Sequence, residues 1–182
     1  MQTEDRIKNL FEILKRIDTY LVSTNQKLAI IISYCAAVLG WLSLNVGKIT
    51  GLVTHDWISW CVVILLFVII LSSSISLLMA AKILFPVTNS TMERQVDDSL
   101  IFYGDISASK GGSGGYHGKV STLDADDLVK DLSQQVFTVS KILSTKFQSI
   151  KTVMLVLIWA NFLPVAFLLL MGLLDAALGL FK

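Results

Sequence analysis

Lys110, Tyr116, His117 and Lys119 surround the run GGSGG at 111–115, and this cluster is where the chain offers most to a ligand. Consecutive glycines present backbone N–H groups at close range, which suits a phosphate. The lysines add charge, and Tyr116 supplies a ring on which a base can stack. The same run also reads as a plain flexible linker, the usual role of Gly/Ser stretches. It lacks the GK[ST] step and the following helix of a phosphate loop. Bond-making chemistry finds little support. His55 and His117 are the sole histidines, and no CxxC, HExxH or GxSxG pattern occurs. The expectation is a protein that is not an enzyme, with no resident cofactor and no metal site. Cys35 and Cys61 both fall in apolar stretches and read as small buried residues.

Those apolar stretches are the elements that must position everything else. Residues 28–47, 57–81 and 152–174 contain no Asp, Glu, Lys, Arg or His. Roughly 20 apolar residues at 1.5 Å rise per residue span a hydrocarbon core of about 30 Å, so each stretch can cross a bilayer. Composition agrees: 54% of the 182 residues are hydrophobic and only 16% charged, where a soluble domain carries about a quarter charged. A net charge of +1 gives no footprint for nucleic acid. With no ionisable residue at mid-depth the spans do not resemble those of a coupled transporter. They do carry small or polar residues four apart: Ala36 with Gly40, Ser72 with Ser76, Gly172 with Ala176. Such pairs let helices approach closely, either within one chain or between protomers. Asn161 and Pro164 add a polar point and a kink to the third span.

The predicted fold class is an all-α membrane protein, three transmembrane helices with a cytoplasmic helical stalk. Residues 1–27 form an amphipathic helix, since Ile7, Leu10, Leu14, Ile17 and Leu21 recur every three or four residues and nothing breaks the run into the first span. The spans are 28–47, 57–82 and 152–176, with an outer turn at 48–56 and an outer tail at 177–182. Between them, 83–151 is a connection in which Pro86 ends the second span, 86–122 is loop with a short strand at 100–103 and a flexible break at 111–115, and 123–151 is helix. Thr122 caps that helix, and Leu128, Leu132, Val136, Val139, Leu143, Phe147 and Ile150 line one face of it. Thirteen of the 15 Lys and Arg lie before the first span, at the inner end of the second (Lys82) or in this connection, leaving Lys48 and Lys182 on the other side. The positive-inside rule then puts the N-terminus and the connection in the cytoplasm and the C-terminus outside.

The order of a short N-terminal helix, two spans, a connection and a long helix entering a last span resembles the transmembrane effector of bacterial Pycsar anti-phage systems. Local strings match as well: Lys27 before a first span rich in small residues, Leu84-Phe85-Pro86, and Phe102-Tyr103-Gly104-Asp105-Ile106-Ser107. Asp127-Leu128, Gln134-Gln135, Lys141-Ile142 and Lys146-Phe147 continue the match. The resemblance implies an inner-membrane protein that responds to cyclic CMP or cyclic UMP from a cognate cyclase and impairs the membrane, ending growth before phage release. It implies the lipid bilayer, a cyclic pyrimidine mononucleotide and further copies of the chain as partners. Arg94, Tyr103, Lys110, Tyr116, His117 and Lys119 are then the basic and aromatic residues available to the nucleotide. The alternatives are a membrane anchor that recruits a cytoplasmic partner and a constitutive holin-like pore former.

Overall fold

The computed structural model describes residues 2–51, 57–85 and 99–178, with side chains for 2–48, 60–85 and 99–173. The order is α1 (Thr3–Gly51), α2 (Trp57–Leu84), α3 (Tyr103–Ser107), α4 (Gly112–Ser121), α5 (Ala125–Leu157), a π turn (Ile158–Phe162) and α6 (Leu163–Leu178). No strand occurs among the described residues. Three stretches are long and apolar enough to cross a membrane: Thr3–Lys48, Trp60–Leu84 and Ala125–Leu173, the last running through the π turn. The fold is all-α with three spans.

Local chemistry sets the ends. α1 opens with Glu4 and Asp5 and closes with Lys48, the charges that a helix dipole favours at its two ends. Lys48 is therefore the last turn of α1 and not part of an outer turn. Of the expected turn at 48–56, residues 52–56 lie outside the described residues. α2 stops at Leu84, two residues before Pro86, which itself lies outside them.

The expected loop at 86–122 is corrected where it is described. It contains α3 and α4. No strand forms at 100–103, because Ser99 Oγ collects the N–H groups of Ile101 and Phe102 at 3.2 and 3.0 Å. Amides drawn into a local turn are not offered to a neighbouring strand. The glycine run is likewise no flexible break. Gly111 and Gly112 take positive φ, 84° and 60°, as the chain turns into α4. Gly115 then lies against the preceding turn so closely that a Cβ would overlap the Lys110 carbonyl. Thr122 closes α4 by bonding back to the Gly118 and Lys119 carbonyls. It does not cap α5, whose first turn is received by the Asp124 carbonyl from the Leu128 N–H at 3.1 Å.

The chain divides into two compact units, 1–24 with 86–146 and 25–85 with 147–182. In the first, Ile17 and Thr24 of α1 are buried, as are Asp131, Leu132, Gln135 and Leu143 of α5. Phe147, placed on the inner face by its spacing, is exposed, and Val136 is only half-buried. Asp131 takes an inner position because it receives a hydroxyl and a backbone N–H there.

In the second unit, Leu28, Ile31 and Cys35 of α1 pack with Ala80 of α2 and with Ile150, Val153 and Leu157 of α5. Ile64, Phe67, Leu71, Ile75 and Leu78 of α2 turn outward. Cys61 is exposed, in contrast to the buried setting its apolar surroundings suggest. Within a bilayer, burial between helices brings no release from water, so close packing and interhelical hydrogen bonds hold such a bundle.

The glycines of α4 give opposite expectations. Gly115→Ala should destabilise the 99–124 segment by about 1–3 kcal/mol through overlap with backbone. Gly114→Ala meets open space and should stabilise it by about 0.5–1 kcal/mol. Hydrogen exchange of α4 amides in the full-length protein measures both.

Candidate functional site

Ser99 organises the segment that carries the candidate ligand residues. Its hydroxyl donates to the Asp131 carboxylate at 3.0 Å, and its N–H donates to Asp105 Oδ2 at 3.1 Å. The Leu100 N–H donates to Asp131 Oδ2 at 2.8 Å. The Tyr116 hydroxyl then donates to the Leu100 carbonyl at 2.9 Å, tying α4 to the same turn. Ser99, Asp105 and Asp131 are all buried. A buried carboxylate is tolerated when hydrogen-bonded, and bonds to an ionised acceptor are among the stronger ones. A region with little apolar core is thereby held on α5.

Around this framework the predicted ligand residues separate. Tyr103 on α3 is exposed and stacks obliquely beside Phe102, ring centres 4.8 Å apart. Lys110 and His117 are exposed and Lys119 half-buried. Tyr116 is half-buried, its hydroxyl spent on Leu100, so its first role is structural. Arg94 lies outside the described residues. Further along α5, half-buried Lys146 has its ammonium pKa pushed below the usual lysine range by desolvation.

Of the helix-packing residues, Ser72 and Ser76 are buried inside the second unit, so that face meets the chain's own helices. Ala36, Gly40 and Gly172 are exposed, and Ala176 lies in α6 beyond the residues with described side chains. The largest polar feature of this unit was only partly anticipated. Asn161, fully buried in the π turn, donates from Nδ2 to Ser73 Oγ at 2.6 Å and Ser72 Oγ at 3.1 Å, with the Ile69 carbonyl at 3.3 Å. Its Oδ1 accepts from the Tyr34 hydroxyl at 2.7 Å. Ser72 donates in turn to the Ala160 carbonyl at 2.8 Å. That carbonyl stands four residues before Pro164, which has no N–H to return. The π turn and the serine together accommodate the proline where its position alone predicts a kink. The signal was present in the sequence as Asn161 and Pro164; their shared partner Ser72 was not legible.

An apolar groove of about 480 Å3 between Leu65 and the residues Trp159, Leu163, Phe167 and Leu170 offers almost nothing polar to a nucleotide.

The Pycsar effector protein domain matches residues 9–173, taking in both units. The chain belongs to the Pycsar effector family. Pycsar effector protein EcPycTM of Escherichia coli is 31% identical over 149 residues, which cover 80% of this chain and 80% of that protein. No solved structure matches. Family membership and the three spanning helices together make this Pycsar effector a membrane protein of antiviral defence.

Asp131 gives a direct test of the framework. Asp131→Ala leaves the Ser99 hydroxyl and the Leu100 N–H without their acceptor and should cost about 1–3 kcal/mol. Faster hydrogen exchange at residues 100–102 and earlier proteolysis within 99–124 are the expected readouts. Asp131→Asn keeps an acceptor oxygen and should lose less.

Proposed function

We propose that this Pycsar effector is a ligand-gated switch of the bacterial inner membrane. A cyclic pyrimidine mononucleotide, cyclic CMP or cyclic UMP, binds its polar unit, and the spans respond by impairing the membrane. The observation that carries this reading is that α1 and α5 each belong to both units, with no break at 24–25 or at 146–147. A change of state in the polar unit therefore reaches the spans through continuous helix. The α1 seam of Ile7, Leu10, Leu14, Ile17, Leu21, Thr24, Leu28, Ile31 and Cys35 keeps its alternating spacing of three and four throughout and is turned inward along its length.

The resting protein must be tolerated by its host, so the damaging arrangement is a minor state without ligand. Moving that balance from 1:99 to 99:1 requires about 5.5 kcal/mol of differential affinity. Several groups must converge to supply it. Exposed Tyr103 is suited to stack on a pyrimidine, and Lys110, His117 and Lys119 with the first turn of α4 are suited to the phosphate. The N-terminus and the 86–151 connection face the cytoplasm, where a cyclase product accumulates, because they carry twelve of the 15 basic residues. Phe11, Tyr20, Val22 and Phe137 are exposed on the polar unit. Covering them is the role of further copies of the chain, since such apolar side chains gain from being removed from water.

Two measurements test the reading. Cells with an inducible pyrimidine cyclase should depolarise only when cyclase and effector are both present, and a Lys110→Ala, His117→Ala, Lys119→Ala variant at equal membrane level should stay polarised. Depolarisation by the effector alone overturns ligand control and favours the pore former. Reporter fusions at residue 182 and within 108–118 should report opposite sides of the membrane; the same side for both overturns the topology.

A further inference from the structure

Resting on the reading that the activated protein impairs the membrane, we infer that the lesion is an aqueous path lined by the Ser72–Ser73–Ser76 face of α2, held shut in the resting protein by Asn161. The buried positions of α2 along one side are Ile69, Ser72, Ser73, Ser76 and Ala80, so three of the five carry hydroxyls. The opposite side carries Ile70, Leu71, Ile75 and Leu78, all exposed. Ser74 is the one hydroxyl beside them, returned to the Ile70 carbonyl at 2.8 Å, so the outward side is mostly apolar and the inward side mostly hydroxylated.

Stability does not require that arrangement. Replacing both partners of a buried hydrogen bond by apolar groups of similar shape is close to neutral, whereas an unpaired buried hydroxyl costs about 1–3 kcal/mol. Ser76 is such a case: its Oγ is fully buried and has no partner among the described residues. It lies one turn along α2 from the Ser72–Ser73 pair that Asn161 holds. Tyr34 is the fourth contributor, its hydroxyl engaged by Asn161 Oδ1.

The consequence appears when α2 parts from the π turn. Ser73 Oγ, Asn161 Nδ2 and the Ala160 carbonyl then lose their partners together, while Ser72 keeps the Ile69 carbonyl within α2 and Tyr34 keeps Asn161 Oδ1. In hydrocarbon each unsatisfied group costs several kcal/mol. Water removes that cost and also serves Ser76, which the resting bundle leaves unpaired. The opened state is therefore wet along this face. Several copies contribute their serine faces, because three helices are too few to enclose water.

The test uses the full-length protein in cells and reads membrane potential together with labelling by a charged, membrane-impermeant methanethiosulfonate. That reagent attacks thiolate, which forms where water reaches. Labelling is counted above the parent chain, which retains Cys35 and Cys61. Without any cyclase, Asn161→Ala should depolarise cells that the wild type leaves polarised. Tyr34→Phe removes one hydroxyl and keeps the ring, and should depolarise them more weakly. In the Asn161→Ala background, Ser76→Cys should label about tenfold more than Leu78→Cys on the lipid side. Polarised cells with both variants at wild-type membrane level overturn the latch. Depolarisation with equal labelling at 76 and 78, or with none at 76, overturns the lining and points to general bilayer damage. If wild type with cyclase stays polarised while Asn161→Ala depolarises and labels at 76, the ligand reading falls and the aqueous path stands.

Discussion

A bilayer offers no water to a polar group, and the membrane-embedded unit is arranged around that constraint. Pro164 removes one N–H from the third span, leaving the Ala160 carbonyl in need of a donor. Ser72 supplies it from α2. The π turn at Ile158–Phe162 carries Asn161, fully buried, where it meets Ser73, Ser72 and Tyr34. Each piece answers another: the proline needs the serine, the serine accepts from the asparagine, and the asparagine joins α1 to α2. Interhelical hydrogen bonds in membranes are worth about 0.6 kcal/mol on average, so none of them alone decides the bundle. Their concentration at one residue makes the arrangement cooperative.

The polar unit obeys the same accounting with different materials. Its 99–124 segment has almost no buried apolar side chains, and a short chain of that kind needs other means of order. Ser99 is used in both directions, donating to Asp131 and accepting from Ile101 and Phe102. Asp105 and Tyr116 complete a set of bonds in which the turn before α3 is held from α5 and from α4. The absence of a side chain at Gly115 lets the Lys110 turn close upon α4. Charge-assisted bonds and a close backbone approach do here what a core does elsewhere.

In the proposed switch, α1 and α5, unbroken along their length, are the elements that link the polar framework to the spans, and the α1 seam keeps a period near 3.5 residues. Thr24, fully buried with its hydroxyl returned to the Tyr20 carbonyl, lies at the last position of the first unit. It adds no donor demand to the seam it occupies.

The three spanning helices and the all-helical class were legible in the sequence, because uncharged stretches of bilayer length admit few other structures. The amphipathic start of α1 and the helical spacing of α5 were legible for the same reason: periodicity is a local property. The glycine run misled because composition alone cannot distinguish a linker from a turn in which a carbonyl lies on Gly115. Ser99 drew no notice, since a serine before Leu100 and Ile101 carries no signal until Asp131, 32 residues on, is brought to it. Ser72 and Ser76 showed the spacing of a packing face, and spacing does not say whether the packing partner is the same chain or another. Asn161 announced a polar point within a span, but its partners Tyr34, Ser72 and Ser73 lie about 90 to 130 residues away. What the sequence by itself determined was which segments enter the membrane, through local hydrophobicity and periodicity; which polar groups meet inside it was decided by tertiary structure, because hydrogen bonding depends on distances that only the folded bundle sets.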